Sequence, residues 1–334
     1  MSAPYRVLLT DRAWPSLDLE REILASGNAE VIESPDDSEA TLISLAADVD
    51  AIATCWAQVT GRVIEAAPKC KIIARLGIGL DNIDIPTATR LKIPVTNVPD
   101  YCIPEVADHT CGLILALNRK ITFFDREAKQ GRYKLSAAGP LRRLAGQTLG
   151  LIGFGRIARA VRERALGFGL EVIAHSPSGR DYGCGCEMVS LEALLKRSDI
   201  VSLHAPHTDA SHHLLNREML SRIKPGALVI NTSRGGLIDH QALWESLKTD
   251  HLAGVALDVF DPEPPDLSDP MFADHRVVVT PHAAFTSEES LVELRTRVCQ
   301  QILTTLQGGQ PENLVNSENL EELTNDNVRS EAES

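Results

Sequence analysis

The fold is decided by the stretch Gly150-Leu151-Ile152-Gly153-Phe154-Gly155-Arg156-Ile157-Ala158. The apolar run 148–152 predicts a short buried strand, and 156–166 predicts a helix directly after it. Between them, Gly153 permits a tight turn and Gly155 leaves the backbone open to a pyrophosphate, while the closing alanine lets the helix lie close to the strand. The N-terminus of such a helix attracts phosphates through its unpaired N–H groups and its dipole. The stretch therefore predicts a dinucleotide-binding site.

Length, composition and charge narrow the class of protein. The chain has 334 residues, 43% of them hydrophobic, which fits a globular protein of two domains. Its net charge of −13 argues against nucleic acid as a partner, since that would require clustered Lys and Arg. No apolar run approaches the ~20 residues of a membrane-spanning helix, and no secretory signal is visible at the N-terminus. The polar, acidic stretch 317–334 is predicted to be a disordered tail.

The cysteines indicate the compartment. There are seven, scattered along the chain and odd in number, which favours reduced thiols in the cytoplasm over a disulfide framework. Cys184 and Cys186 are close together, but no further ligands stand nearby at metal-site spacing, so we expect a loop with two free thiols and no metal.

Strand-like and helical segments alternate along the chain, which predicts parallel sheets covered by helices. Candidate strands lie at 7–10, 31–32, 51–54, 72–74, 95–96, 148–152, 171–174, 200–204, 228–231, 254–259 and 277–280. The last six are predicted to form one doubly wound sheet. Apolar residues at helical spacing over 106–117, extended by Ile121 and Phe124, predict one long helix between the two groups of strands. The last helix is predicted at 288–307 and is expected to return to the first unit.

Motifs with polar side chains follow several of these strands, where open α/β sheets place their ligand crevice. After 72–74, Arg75 and two glycines form either an anion-binding nest or an ordinary turn. After 228–231, Arg234 suits bidentate capture of a carboxylate, or is a solvent-exposed loop arginine. Glu263 and His282 follow the next two strands. They are expected to pair, so that the carboxylate raises the histidine pKa above ~6.5 and makes it a general acid; the alternative is a structural histidine.

These motifs in combination resemble the D-2-hydroxyacid dehydrogenase family, over about 5–316. The resemblance rests on Gly-Phe-Gly-Arg-Ile-Ala, Asn-Thr-Ser-Arg-Gly-Gly-Leu-Ile-Asp, Ala-Leu-Asp-Val-Phe-Asp-Pro-Glu-Pro and Thr-Pro-His-Ala-Ala-Phe. Within the family the chain is most similar to the branch of phosphoglycerate dehydrogenases and C-terminal binding proteins. The resemblance implies two doubly wound α/β domains, a Rossmann cofactor domain at 101–283 inserted in a flavodoxin-like substrate domain of 1–100 and 284–316. It also implies a homodimer built through the cofactor domains.

The resemblance further implies the residues of the site. Arg234 would hold the substrate carboxylate and polarise the keto oxygen, His282 would protonate that oxygen as hydride arrives, and Glu263 would support His282. The implied substrate-binding residues are Arg75, Gly77, Ile78 and Phe285. The implied cofactor-binding residues are Gly153, Gly155, Arg156, Ile157, Ser176, His204, Pro206, Thr232 and Asp258, the last at the nicotinamide carboxamide.

The chain departs from the family pattern at Ser176. The fingerprint normally has an acidic residue about twenty positions on, which binds the adenosine ribose hydroxyls. A carboxylate repels a 2′-phosphate, whereas a serine does not, and Arg180 could pair with that phosphate. The cofactor is therefore NAD or NADP, and we hypothesise that NADP is accepted or preferred. The alternative is that Ser176 serves NAD through a neutral hydrogen bond.

Three functions fit these features. The first is an oxidoreductase that reduces a small 2-keto acid to the D-2-hydroxy acid. The second is a dinucleotide-sensing binding protein similar to the C-terminal binding proteins. The third is a phosphite-type dehydrogenase on the same scaffold. A formate dehydrogenase is disfavoured because those enzymes have an amide at the position of Glu263.

Overall fold

The structure is a computed structural model that describes residues 4–317. The chain divides into two compact units. Unit 1 contains the residues up to Tyr101 and those from Ser287 onward, and unit 2 is Cys102–Thr286. All but the first residue of the predicted tail at 317–334 lies outside the described residues. Within the described range, no helix combines the length and hydropathy that crossing a membrane requires.

Unit 1 is built on a parallel sheet of five strands in the order β2-β1-β3-β4-β5. The strands are β1 (Tyr5–Leu9), β2 (Ala29–Glu33), β3 (Ala51–Thr54), β4 (Ile73–Arg75) and β5 (Val95–Thr96). The helices are α1 (Asp18–Ser26), α2 (Glu39–Ala46), α3 (Gly61–Glu65), α4 (Ile85–Arg90) and the last one, α12 (Glu288–Leu306). The central strand β3 is buried along its whole length, as expected of a parallel strand covered on both faces.

The helix α12 belongs to unit 1 although it follows unit 2 in the sequence. Its Arg295 donates two hydrogen bonds to the carboxylate of the buried Glu20 on α1, at 2.7 and 2.6 Å. A bidentate pair of this kind fixes orientation as well as distance. The contact therefore anchors the returning helix against α1.

Unit 2 contains a parallel sheet of seven strands in the order β12-β11-β10-β9-β6-β7-β8. The strands are β6 (Thr148–Ile152), β7 (Glu171–His175), β8 (Glu187–Met188), β9 (Ile200–Leu203), β10 (Ala227–Asn231), β11 (Leu252–Leu257) and β12 (Val277–Val279). The helices are α5 (Ile103–Asn118), α6 (Ile121–Lys129), α7 (Arg156–Gly167), α8 (Leu191–Arg197), α9 (Arg217–Arg222), α10 (His240–Lys248) and α11 (Pro270–Ala273). The strand order reverses between β6 and β9, which is where doubly wound sheets open a ligand crevice.

The prediction of an α/β fold with two parallel sheets is confirmed, and two details of it were wrong. The helix expected to continue through Ile121 is broken, because Lys120 adopts a left-handed conformation (φ 52°) that ends α5 and starts α6. The second sheet has one strand more than predicted among the described residues, since β8 is only two residues long and shows no periodicity. Both details are set by tertiary contacts.

Candidate active site

The glycine loop between β6 and α7 is shaped by close backbone contacts. Gly153 has φ 89°, and a Cβ built on it would lie 2.4 Å from the carbonyl oxygen of His204. No side chain fits there. Gly155 is the N-cap of the 12-residue helix α7, and a Cβ on it would meet no atom within 4 Å. The first helical residues, Arg156 and Ile157, are exposed and half-buried respectively. The loop therefore fits a dinucleotide pyrophosphate, with backbone access at Gly155 and a helix N-terminus beside it.

The turn after β7 carries hydroxyl groups at the position where the fingerprint usually has a carboxylate. Ser176 Oγ lies 3.2 Å from Ser178 Oγ, and the backbone N–H of Arg180 donates to Ser178 Oγ at 3.4 Å. Further along, Asp181 accepts backbone hydrogen bonds from Gly183 and Gly185, which hold the pKa of its carboxyl below the usual range. The negative charge of this loop is therefore engaged with its own backbone.

The ends of β9 and β10 supply neutral polar groups. His204 Nε2 lies 2.9 Å from Ser202 Oγ, and desolvation lowers the pKa of this histidine to about 4, so that its ring is neutral near pH 7. Pro206 accepts a hydrogen bond from Ser211 through its carbonyl. Thr232 Oγ1 lies 2.9 Å from the hydroxyl of Thr110 on α5. A neutral wall of this kind suits the uncharged adenosine and reduced nicotinamide parts of a dinucleotide.

Arg234 is brought to Glu263 by direct backbone packing. A Cβ on the neighbouring Gly235 would lie 1.9 Å from the carbonyl carbon of Phe260, so the segment after β10 lies against the segment after β11. Asn231 at the end of β10 donates to the carbonyl of Arg234 at 2.8 Å. The guanidinium is close enough for its charge to contribute to lowering the pKa of Glu263. The two strand ends thus place a cation and a carboxylate in the same part of unit 2.

His282 and Glu263 form the expected pair. His282 Nδ1 lies 2.7 Å from Glu263 Oε2, and the side chains are 25% and 31% exposed. The other carboxylate oxygen, Oε1, accepts from the backbone N–H of Phe260 at 2.7 Å. Burial raises the pKa of Glu263, but the hydrogen bond and charge of His282 outweigh burial, so the carboxyl titrates below its usual range. Glu263 is therefore ionised at neutral pH and orients the imidazole through Nδ1.

The turn that carries His282 is held by Asp258, which is fully buried. Asp258 Oδ1 accepts from the hydroxyl of Thr280 at 2.5 Å and from the N–H of Ala283 at 2.8 Å, and Oδ2 accepts from the N–H of Ala284 at 3.0 Å. Asp258 therefore anchors the turn that carries His282, a role that the sequence motifs did not indicate. The ring of Phe285 packs edge-on against that of His282, with centroids 6.0 Å apart.

Arg75, Gly77 and Ile78 lie in unit 1, at the end of β4. Arg75 is buried and donates to the carbonyl of Leu76. Gly77 has φ 156°, and a Cβ on it would come within 2.8 Å of the Arg75 guanidinium. The carbonyl of Ile78 accepts from Asn97 at 2.8 Å. The loop is therefore folded around its own arginine.

The cysteines form no disulfide bond. All seven cysteines are free, and the thiol of Cys184 donates to the carbonyl of Asp181 at 2.8 Å. Among residues 4–317, no three His, Cys, Asp or Glu side chains are grouped so that they could hold a metal ion.

Comparison with known proteins identifies the family. The model of the D-isomer specific 2-hydroxyacid dehydrogenase NAD-binding domain matches residues 111–284. A glyoxylate reductase of Korarchaeum cryptofilum is 38% identical over 309 residues, which are 90% of this chain and 90% of that protein. The chain belongs to the D-isomer-specific 2-hydroxyacid dehydrogenase family. A hydroxypyruvate reductase of Thermotoga maritima is 37% identical over 308 residues, 91% of this chain and 99% of the relative.

Solved structures agree with this membership. An NADPH-dependent glyoxylate/hydroxypyruvate reductase from Sinorhizobium meliloti, in complex with NADP and malonate, has a TM-score of 0.85 at 29% identity and covers 94% of this chain and 97% of its own. A D-lactate dehydrogenase from Aquifex aeolicus, in complex with NAD and lactic acid, has a TM-score of 0.82 at 27% identity. The match covers 91% of this chain and 96% of that chain. This D-2-hydroxyacid dehydrogenase is an NAD(P)-dependent oxidoreductase that interconverts 2-keto acids and D-2-hydroxy acids.

Proposed function

We propose that this dehydrogenase reduces a small 2-keto acid of the glyoxylate or hydroxypyruvate class, with Arg234, Glu263 and His282 as its catalytic residues. The observation that carries the assignment is the 2.7 Å contact between His282 Nδ1 and Glu263 Oε2, with Arg234 close to the same carboxylate. An imidazole oriented at Nδ1 by a carboxylate exchanges a proton at Nε2. The arrangement supplies a proton donor and a carboxylate-binding cation, the two groups that reduction of a keto acid requires.

The reaction follows from these roles. Arg234 binds the substrate carboxylate through its planar guanidinium and polarises the keto oxygen. When bound, the reduced nicotinamide supplies a hydride to the keto carbon. The electron pair of the C=O π bond moves to the oxygen, which takes the proton from His282 Nε2. Glu263 stabilises the imidazolium before the transfer and keeps the ring in place after it. In the oxidative direction His282 takes the hydroxyl proton as a general base.

The names of the relatives support the substrate class. Glyoxylate reductase and hydroxypyruvate reductase stand among the most similar proteins. The similarity to the phosphoglycerate dehydrogenase branch also has support, since a D-3-phosphoglycerate dehydrogenase of Methanocaldococcus jannaschii is 39% identical over 267 residues, although this is 51% of that protein. We propose that Arg75, Gly77, Ile78 and Phe285 contact the substrate, and that the enzyme works in the cytoplasm, in keeping with its free cysteines.

The experiment that tests the proposed function is a spectrophotometric screen. Glyoxylate, hydroxypyruvate, pyruvate and branched or aromatic 2-keto acids are each assayed with NADH and NADPH, and phosphite is assayed with NAD and NADP. We expect the highest kcat/KM with glyoxylate or hydroxypyruvate. Oxidation of phosphite with a higher kcat/KM than that of any keto acid would instead indicate a phosphite-type dehydrogenase. Cofactor-dependent association without turnover on any keto acid would favour the dinucleotide sensor.

We further propose that Ser176 lets the enzyme take NADPH. Replacing it by aspartate places a carboxylate at the ribose 2′ position, where it repels a 2′-phosphate and accepts from a 2′-hydroxyl. We expect Ser176→Asp to lower kcat/KM for NADPH by about 10-fold or more, the scale of one uncompensated like-charge contact, and to raise it for NADH. The matched control is Ser176→Asn, which has a similar size and no charge and keeps the NADPH activity. Absence of turnover with NADPH would refute this proposal, and equal or better turnover of the unaltered enzyme with NADH than with NADPH would refute a preference for NADPH.

We also propose that the enzyme is a homodimer through the cofactor units. Support comes from the segment 121–138, which we call the arm. Its helix α6 buries no residue, and three large apolar side chains of the arm are exposed: Ile121 by 54%, Tyr133 by 98% and Leu135 by 80%. Exposed apolar side chains in one contiguous segment are typical of protein interfaces. A second copy would cover them with its own arm.

Charges in the arm should therefore separate the subunits. We expect the double substitution of Tyr133 and Leu135 by aspartate to convert a dimer into a monomer, as measured by light scattering after size exclusion. The control is Tyr182→Asp, which changes an aromatic residue of unit 2 that is 53% exposed outside the arm and should leave the mass unchanged. An unaltered enzyme that elutes as a monomer at micromolar concentration would contradict the dimer.

A further inference from the structure

A second histidine lies beside the turn that carries His282. His109, on α5, places its Nε2 3.0 Å from Thr280 Oγ1 and 3.5 Å from Asp258 Oδ1. The Thr280 hydroxyl is itself 2.5 Å from the same carboxylate oxygen. The sequence did not indicate a role for His109, because this residue lies within a helix and belongs to none of the strand-end motifs. Its side chain nevertheless touches both residues that anchor the catalytic turn.

The direction of these hydrogen bonds can be worked out from the donors available. Thr280 has a single hydroxyl hydrogen, which it donates to Oδ1 of the Asp258 carboxyl group at 2.5 Å. Its oxygen therefore accepts the bond from His109, which means that Nε2 of His109 carries a hydrogen. The donors are arranged in one direction, from His109 to Thr280 to Asp258. Such a chain is stronger than its separate members, because each bond polarises the next.

The far end of this chain is the backbone that presents His282. The side-chain carboxylate of Asp258 accepts hydrogen bonds from the N–H groups of Ala283 and Ala284. The backbone carbonyl of Asp258 accepts a hydrogen bond from the N–H of His282 at 2.7 Å. His282 has φ 51°, a left-handed conformation that residues with a Cβ rarely adopt. A strained turn persists only when its surroundings hold it in several places at once. Asp258 provides those hydrogen bonds, and His109 with Thr280 fixes the carboxylate from the side of α5.

We propose that His109 is a positioning residue of this dehydrogenase. Through Thr280 and Asp258 it sets the turn that holds the His282 imidazole in place for proton transfer. The inference rests on the proposed catalytic role of His282. It differs from a purely structural role because its effect must reach the reaction through His282. Its effect on dinucleotide binding is expected to be small by comparison, because the glycine loop that carries Gly153 and Gly155 lies before α7, away from this hydrogen-bond chain.

Two substitutions of His109 separate its hydrogen bond from its volume. Phenylalanine keeps a ring of similar size without an N–H, while glutamine keeps an N–H donor that can reach Thr280. We expect His109→Phe to lower kcat about 10-fold or more, because misplacing a reacting group by a fraction of an ångström has effects of this size. The Kd for NADPH should stay within about 2-fold. His109→Gln should recover most of the kcat, and Thr280→Val should reproduce the loss if His109→Phe does not fold.

A double-mutant cycle decides the question. Because His109 acts through His282, adding His109→Phe to His282→Ala should cause no further fall in kcat. A loss that multiplies with that of His282→Ala would overturn the inference, as would a phenylalanine variant with unaltered kcat. The control is His251→Gln, since that histidine is also half-buried in unit 2 but contacts the carbonyl of Leu220, and its kcat should not change. If His282→Ala alone keeps the kcat of the unaltered enzyme, the proposed role of His282 fails instead.

Discussion

Replacing His282 by alanine is expected to lower kcat for keto-acid reduction by about 10²- to 10⁴-fold, the usual range for loss of a general acid. The physical reason is that the oxygen formed at the keto carbon then has no positioned proton donor and must take its proton from water. The proposed dinucleotide contacts at Gly153 and Gly155 are untouched, so the Kd for NADPH should not change. Steady-state kinetics at saturating keto acid measure the first effect, and quenching of NADPH fluorescence measures the second.

A companion variant, Glu263→Gln, tests the role of the carboxylate beside His282. It keeps a side chain of the same size beside His282 Nδ1 but removes the charge that stabilises the imidazolium. The pKa of Glu263 lies below its usual range, so the carboxylate is present from acidic pH upward. Without it the imidazolium loses its ionic partner at Nδ1, so kcat should fall at neutral pH, where the unaltered enzyme has an ionised Glu263. An unchanged kcat in His282→Ala would remove this histidine from the mechanism.

The sequence was most informative where a local pattern decides the structure. The strand β6 and the start of α7 lie where the glycine motif predicts them. Position 153 requires glycine, because a side chain there would collide with the His204 carbonyl. The break at Lys120 was not visible, because neither a glycine nor a proline marks it and the conformation depends on the surrounding fold. The lysine side chain reaches the carbonyl of Ala138, a contact that sequence periodicity does not encode.

The candidate site was predictable to the extent that sheet geometry determines it. The strands β11 and β12 are parallel neighbours, so the segments after them meet at one edge, and Glu263 and His282 face each other there. The anchoring of this edge was not predictable. The family resemblance implies Asp258 at the nicotinamide carboxamide, which stays a prediction, but it does not indicate the hydrogen bonds that the oxygens of Asp258 accept from the turn carrying His282. His109 reaches that turn from a helix far away in the sequence, and only the folded chain brings the two together.

Replacing Arg234 by alanine is expected to impair both substrate binding and turnover. A charge-assisted pair between a guanidinium and a carboxylate loses about 2–5 kcal/mol when one partner is truncated, which corresponds to about 30- to 5,000-fold in kcat/KM. The loss should appear in both constants, because in the proposed mechanism the same side chain holds the substrate carboxylate and polarises the keto oxygen. The measurement is a full kcat and KM determination with glyoxylate and hydroxypyruvate at saturating NADPH.

The comparison of Arg234→Ala with Arg234→Lys tests how the arginine acts. Lysine keeps the positive charge but lacks the planar fork that matches a carboxylate, so it should recover part of the binding and little of the orientation. We therefore expect Arg234→Lys, compared with Arg234→Ala, to bring KM closer to the value of the unaltered enzyme than kcat. If alanine raises KM and leaves kcat unchanged, Arg234 only binds the carboxylate and the keto oxygen is polarised by another group. If neither constant changes, the arginine beside Glu263 serves only the local fold, and the carboxylate site must be sought elsewhere.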